Sequence, residues 1–324
     1  MKKAWLVLIP FGVTLMLIGG VLYFFCVSHG AVGWHTRWGD WDVVFGKYGV
    51  SIGPVTLYGR NPEDYDIFSG DLESEKVPLE DGLTGLHLKI GVADTTVVLD
   101  GGEAYLEWRN FPIGKLRYEV QDDVLTVEEL STDWNPSNTA IAKNRSLVIH
   151  LPSSANLQKV KVEVGVGDVI LQDFPMEELT IEGGVGDTRL QNLAIGSLKI
   201  DGGVGNVCSE GISCSGPVHA DGSVGDVELA GDFYGDVELS AGTGDVSLTG
   251  TLEGNLKASS GIGNVDIRLL GDPAAFWYDV QGGAGDISIN GVTTPKKTYQ
   301  TSSNGASYKI EISGEVGDVT IDIH

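Results

Sequence analysis

An aspartate or asparagine closes a recurring Gly-x-Gly-Asp/Asn motif, or a near variant of it, at residues 168, 187, 206, 226, 245, 264, 286 and 318. The first six lie 19, 19, 20, 19 and 19 residues apart, and the last two follow after 22 and 32. A periodic column of carboxylates has two chemical readings. The first is a ladder of divalent-cation sites, since calcium takes carboxylate and carbonyl oxygens; its ligands would be Asp168, Asp187, Asp226, Asp245, Asp286 and Asp318. The second is turn chemistry, in which glycine supplies positive φ and Asp or Asn folds its side chain onto nearby backbone N–H groups in an Asx turn. Calcium-binding β-rolls carry G-G-x-G-x-D on a nine-residue period. Here Gly183-Gly184-Val185-Gly186-Asp187 places the acid one residue early, and the period is about doubled. Structural turns are therefore expected and no metal site is assigned, with the calcium ladder kept as the alternative that electrostatic repulsion between acids stacked about 4.8 Å apart would favour. Asn206 and Asn264 relieve part of that repulsion.

Other chemistry finds less support. A dinucleotide-binding loop needs G-x-G-x-x-G opening a helix, and each motif here runs into a short alternating apolar segment such as Val246-Ser247-Leu248. The variable middle positions of these segments are Ile170, Arg189, Cys208, Glu228, Ser247, Asp266 and Ser288. Glu228 and Asp266 would sit two coils apart, roughly 9.6 Å, near the upper edge for the carboxylate pair of an inverting glycosidase. The row is otherwise mixed, as a solvated face is, so a polysaccharide-active enzyme is only a weak alternative and no catalytic residue is assigned. His29, His35, His87, His150, His219 and His324 have no metal-ligand spacing, and neither a G-x-S-x-G nor a phosphate-loop motif occurs. No cofactor is implied. Cys208 aligns in the repeat with outward Ile170 and Arg189, whereas Cys214 aligns with apolar Met176 and Ile195, so two free thiols are expected rather than a disulfide.

The elements that must carry these residues follow from the period. A segment such as Val169-Ile170-Leu171 is apolar at its first and third positions, the signature of a half-buried strand. A second strand precedes the glycines, as in Leu179-Thr180-Ile181 and Leu198-Lys199-Ile200. Two strands and two turns fill the repeat, which predicts an all-β, two-sheet β-solenoid with coils stacked at the strand spacing. The regular repeats occupy 153–324, a degenerate section at 86–152 is expected to cap them, and 28–85, without clear periodicity, reads as a partly ordered stalk. The outward face supplies few aromatic residues; Trp277 and Tyr278 are expected in a loop covering the edge of the core.

Composition sets the compartment. Ala4–Val27 is free of charge and long enough to span the roughly 30 Å hydrocarbon core, so an uncleaved transmembrane helix is expected, with a cleavable signal peptide as the competing reading. Lys2 and Lys3 place residues 1–3 in the cytoplasm and the remainder outside it. Tyr23, Phe24, Phe25, Trp34 and Trp38 fit an aromatic belt at the outer interface, and an ordinary tryptophan-bearing fold accounts for Trp34 and Trp38 nearly as well. Beyond the anchor the chain carries 19 basic against 45 acidic side chains, a surface that repels nucleic acid and anionic head groups.

The opening Leu86-His87-Leu88-Lys89-Ile90 with Asp94, the segment Tyr118 to Val127, the strand Leu147-Val148-Ile149-His150-Leu151-Pro152 and the G-x-G-D-V series together resemble the bacterial "putative adhesin" family of β-strand-repeat proteins. The resemblance covers about 86–324 and implies a β-repeat domain at the cell envelope. It transfers neither a ligand nor a catalytic residue. The functional classes that remain are a membrane-anchored structural or binding module for a protein, cell-wall polymer or glycan, and an accessory protein linked to envelope stress. A self-assembling scaffold is a weaker third.

Overall fold

The computed structural model describes the backbone strands at residues 34–38, 41–46, 49–52 and 55–56, and residues 72–80, 82–130, 145–294 and 297–324 with their side chains. The expected anchor Ala4–Val27 lies outside the described residues, and among the described residues no helix is long and apolar enough to cross a membrane. Residues 34–56, in the stretch expected as stalk, form a four-stranded antiparallel meander. This belongs to a separate unit from the large one within Asp71–Thr132 and Asn144–His324.

The large unit is a β-solenoid. Strands leading into the Gly-x-Gly turns stack in parallel as a first sheet: Gly85–Val92, Leu157–Val166, Pro175–Val185, Ala194–Val204, Val218–Val224, Val237–Thr243 and Leu256–Ile262. Strands leaving the turns build the second: Asp94–Leu99, Val169–Gln172, Thr188–Gln191, Val207–Glu210, Val227–Phe233, Val246–Leu252 and Val265–Leu269. Register is in phase along each stack, so Leu179, Leu198, Val218, Val237 and Leu256 form one inward column. Val169, Thr188, Val207, Val227, Val246 and Val265 form another. Alternation thus sends aliphatic side chains into one continuous core and polar ones to solvent. Each buried Leu, Ile or Val contributes roughly 1.5–3 kcal/mol relative to exposure. Phe174 and Phe233 fill the interior beside these columns.

Glycine at the motif's third position is dictated by the stacking. At Gly186, φ is 145°, and a Cβ there would meet the carbonyl oxygen of Gly167 on the neighbouring coil at 2.1 Å. Any side chain would force the coils apart.

Two departures from the sequence expectation concern the ends. The coil at 85–99 stacks directly on that at 157–172, so the expected cap at 86–152 divides into one regular coil and an end layer. That layer adds Val124–Glu129 and Ser146–Leu151 in parallel, followed by antiparallel Leu116–Gln121, Tyr105–Pro112 and Leu72–Pro78. At the other end the last two coils are out of sequence order. Tyr308–Val316 and Val319–Ile323 are inserted between the coil at 256–269 and the coil at 276–289. The outermost coil, Phe276–Ala284 and Ile287–Ile289, is covered by the antiparallel strands Thr298–Gln300 and Val292–Thr294.

Candidate functional site

The motif Asp and Asn residues come together as one column along an edge of the solenoid, and their side chains point along it. Asp94 Oδ1 accepts the main-chain N–H of Asp168 at 3.1 Å, Asp168 that of Asp187 at 2.9 Å, and Asp187 that of Asn206 at 2.9 Å. Asn206 accepts from Asp226 at 2.9 Å, Asp226 from Asp245 at 2.8 Å, and Asp245 from Asn264 at 2.7 Å. Asn264 then accepts from Asp318 at 3.0 Å, and Asp318 from Asp286 at 2.8 Å. The expected Asx turn, local to its own loop, is thus replaced by a bond to the next coil. The stacked turns place the neighbouring N–H within reach of the side-chain oxygen. Asp168, Asp187, Asp226, Asp245, Asp286 and Asp318 are therefore adjacent, but in all except Asp286 one carboxylate oxygen is committed to the ladder. Among the described residues no group of three or more His, Cys, Asp or Glu side chains has metal-holding geometry.

The ladder starts at a buried ion pair. Glu129 Oε2 accepts the N–H groups of Gly91 and Val92 at 2.8 and 2.9 Å, standing in for the coil that is missing on that side. Its Oε1 meets Arg145 Nη1 at 3.1 Å, with the two side chains 3% and 9% exposed. Nothing in the repeat pattern marked Glu129; it lies at the end of a strand in the degenerate section.

On the outer face of the second sheet, Glu228 and Asp266 stay two coils apart with Ser247 between them. Asp266 is paired with Arg268 on its own strand, and Arg189 bridges Asp187 at 2.6 Å and Asp168 at 3.4 Å. The row carries ion pairs rather than an acid and base converging on one point. Cys208 is half-buried on this face, whereas Cys214, in register with Ile195, is buried, as the repeat alignment indicates. Its thiol donates to the carbonyl oxygens of Gly196 and Gly216, and burial pushes it above the ordinary cysteine range.

The outer face of the first sheet holds a groove of about 560 Å³. It crosses five neighbouring strands, from Val218 to Trp277. Trp277 was expected in a loop. It sits instead on the strand Phe276–Ala284, where alternation buries Phe276 and Tyr278 and turns the half-exposed indole outward. Lys309, its register partner, places Nζ 5.0 Å from the ring centroid. Lys309 also pairs with Glu311 at 2.5 Å and Asp279 at 3.2 Å, and the Glu311 hydrogen bond, ahead of Asp279, holds its ammonium above the ordinary range. Further along, Glu238 meets Lys257 at 2.5 Å and His219 at 3.5 Å. The Lys257 hydrogen bond, chiefly, holds Glu238 below the usual carboxylate range. Asp236 and Asn255 form a second, shorter ladder on the groove's rim: Asp236 Oδ1 accepts the Asn255 N–H at 2.9 Å, and Asn255 Oδ1 that of Lys309 at 2.9 Å. The groove therefore offers one aromatic face among fixed donors and acceptors of both signs. Lys309 and Glu311 arrive there only through the inserted C-terminal coil, which linear repeat spacing could not show.

No curated protein matches the chain. A "putative adhesin" from Bacteroides fragilis NCTC 9343 is similar in structure at 16% identity and a TM-score of 0.37, covering 78% of this chain and 97% of that one. A "putative cell adhesion protein" from Clostridium sporogenes ATCC 15579 is 13% identical, with a TM-score of 0.28 and coverage of 78% and 100%. A "putative lipid binding protein" from Parabacteroides distasonis ATCC 8503 is 12% identical, with a TM-score of 0.37 and coverage of 78% and 98%. The family-level sequence match runs over residues 87–322, most of the chain and nearly all of the solenoid stack, and the protein belongs to the Toastrack DUF4097 family.

Proposed function

We propose that this protein is a membrane-anchored binding module of the bacterial cell envelope, with the solenoid outside the cytoplasm and the Trp277 groove as its ligand-facing surface. The observation that carries the reading is the groove itself. An outward indole is fixed on a strand, and the polar groups around it are held by neighbouring coils, so a ligand meets a surface that is already ordered. Lys2 and Lys3 ahead of the uncharged Ala4–Val27 support the anchor and its orientation. The ligand class is a protein or a cell-wall or glycan polymer; the acidic surface disfavours nucleic acid. An enzymatic reading gains little from the outer face of the second sheet, where Asp266 is held by Arg268 and stays two coils from Glu228. A self-assembling scaffold is disfavoured by the antiparallel strands that cover both ends of the stack, the device by which β-proteins block end-to-end pairing.

The test uses the full chain in nanodiscs, exposed to purified cell-wall polysaccharide and to a set of soluble oligosaccharides, beside the Trp277→Ala variant. Saturable binding that falls roughly two- to tenfold in the variant is expected, since an aromatic contact is worth about 0.5–1.5 kcal/mol. Binding that is indifferent to Trp277 would remove the groove from the proposal. Digestion of the solenoid by protease added to intact spheroplasts is expected, and its full protection there would overturn the orientation.

A further inference from the structure

The residue at the second position of each turn motif is partly or fully exposed, yet in most coils it is aliphatic. In spatial order the column reads Val92, Val166, Val185, Val204, Val224, Thr243, Ile262, Val316 and Ala284. Val204 is 45% exposed, Val224 38%, Ile262 58% and Val316 49%. These side chains add nothing to the core, and Thr243 shows that a hydroxyl side chain suits the position. Two residues on from each ridge position is the Asp/Asn ladder. At the amino-terminal end Arg189 neutralises Asp168 and Asp187. Among the described residues no ion pair engages Asp226, Asp245, Asp318 or Asp286, so the most exposed part of the ridge runs beside the unneutralised part of the ladder.

We propose that the ridge of Val204, Val224, Thr243, Ile262 and Val316 docks an amphipathic helix of a partner protein whose apolar stripe is bordered by lysine or arginine. Exposed aliphatic side chains in a continuous line are rare unless covered. Spacing selects the occupant: the ridge repeats at about 4.8 Å, close to the roughly 5.4 Å between turns of a helix and far from the roughly 6.8 Å between same-face residues of an extended strand. From the Val204 coil to the Val316 coil there are four steps, about 19 Å, and on to the Ala284 coil a fifth, about 24 Å in all, the length of a helix of about 13 to 16 residues. The carboxylates require positive charge in that helix. They repel an anionic membrane, and they repel the same ridge on a second copy, whose aspartates would face them.

The full chain in zwitterionic nanodiscs is titrated with a synthetic helical peptide of about 16 residues, leucine at i, i+3, i+4 and i+7 flanked by lysine, with empty nanodiscs as reference. The comparison peptide is a scrambled isomer of the same composition. Saturable binding is expected for the amphipathic peptide, at least tenfold weaker for its isomer and for V204S/V224S/I262S. It is expected to be several-fold weaker for D226N/D245N, which keeps the ladder because Asn already serves at 206 and 264. Should the triple variant misfold by circular dichroism, Val224→Thr with Ile262→Thr takes its place, as Thr243 is native. Equal binding by ridge variants and wild type, or equal binding of the scrambled isomer, overturns the proposal. So does self-association of the wild type that the ridge variants abolish, because the occupant is then a second copy. The Trp277→Ala variant is expected to bind this peptide like wild type, which separates the ridge from the groove.

Discussion

Asp226 Oδ1 accepts the main-chain N–H of Asp245 at 2.8 Å, across the gap between two coils. The side chain satisfies a donor that the tight turn would otherwise leave unpaired, and an amide oxygen serves equally well, as Asn206 and Asn264 show. Asp245→Ala should therefore cost about 0.5–1.5 kcal/mol, the net worth of the exposed hydrogen bond from the Asn264 N–H, while Asp245→Asn should lie within about 0.5 kcal/mol of wild type. Urea unfolding distinguishes these outcomes. Equal losses for both variants would mean that the charge, not the hydrogen bond, matters. The same ladder predicts a thermal midpoint unmoved by millimolar calcium or by chelator, and a calcium-dependent rise of many degrees would restore the metal reading.

Glycine positions divide sharply. A Cβ at Gly244, where φ is 144°, would lie 2.0 Å from the Gly225 carbonyl oxygen, whereas one at Gly183 meets nothing within 4 Å. Gly244→Ala should cost at least about 3 kcal/mol, through both strain and the clash. Gly183→Ala should be neutral or stabilising by up to about 1 kcal/mol, because it restricts the unfolded chain. Denaturant midpoints of the two variants decide the matter.

The solenoid was legible in the sequence because its period is local: strand, glycine turn and strand recur about every nineteen residues, and alternation alone assigns Leu179 and Val246 to the core. What the sequence hid was order in space. The motif at Gly317-Asp318 looks like the terminal copy, yet Asp318 lies between Asn264 and Asp286 in the ladder. Linear spacing carries no information about a coil that returns to an inner slot. Trp277 was misplaced for a related reason: the 3-10 turn at Pro273–Ala275 looks like loop, but the strand resumes at once at Phe276. Glu129 was invisible because its role depends on the absence of a neighbouring coil, not on any motif.

That buried carboxylate gives a further prediction. Glu129 accepts two main-chain N–H groups and one guanidinium bond. Glu129→Ala should cost about 3–5 kcal/mol, the range for breaking a buried pair and leaving its partner charged. A double variant with Arg145→Met should recover part of the loss, since the unpaired guanidinium is then gone. No recovery in the double variant would assign the cost to the two N–H groups alone.

Several carboxylates on the outer faces titrate below their usual range: Asp100 through the Gly102 N–H and then His150, Glu163 through Lys161, Glu238 through Lys257, and Asp279 through Gln300 and then Lys309. A folded-state value below the unfolded one adds stability above the unfolded carboxylate range of about 4, and that stability is lost as pH falls through the folded values. Stability governed by these groups should thus be level between about pH 5 and 8 and decline below about 4. Lys257→Met should make the acid limb shallower by removing the main cause at Glu238. An acid limb unchanged in that variant would show that the pair does not couple to folding.

The inserted coil gives the last prediction its contrast. If Tyr308–Val316 were the end of a linear stack, its amides would fray and exchange within the fastest group. It is instead hydrogen-bonded on both sides, to Leu256–Ile262 and to Phe276–Ala284, with Ile310 and Ile312 fully buried. Opening it requires separating two neighbours at once, so its exchange should follow the most global unfolding of the solenoid. Amide hydrogen exchange should therefore place Ile310 and Ile312 with Leu239 in the slowest class, although they lie within the last fifteen residues. Thr298–Gln300, bonded on one side only, should exchange earlier. Early exchange at Ile312 would mean that the last coil opens independently, and removal of residues 306–324 would then leave the rest folded. With the coil in its inner slot, the same truncation should collapse the groove, because Lys309 and Glu311 depart and the edges of Leu256–Ile262 and Val265–Leu269 are left unpaired.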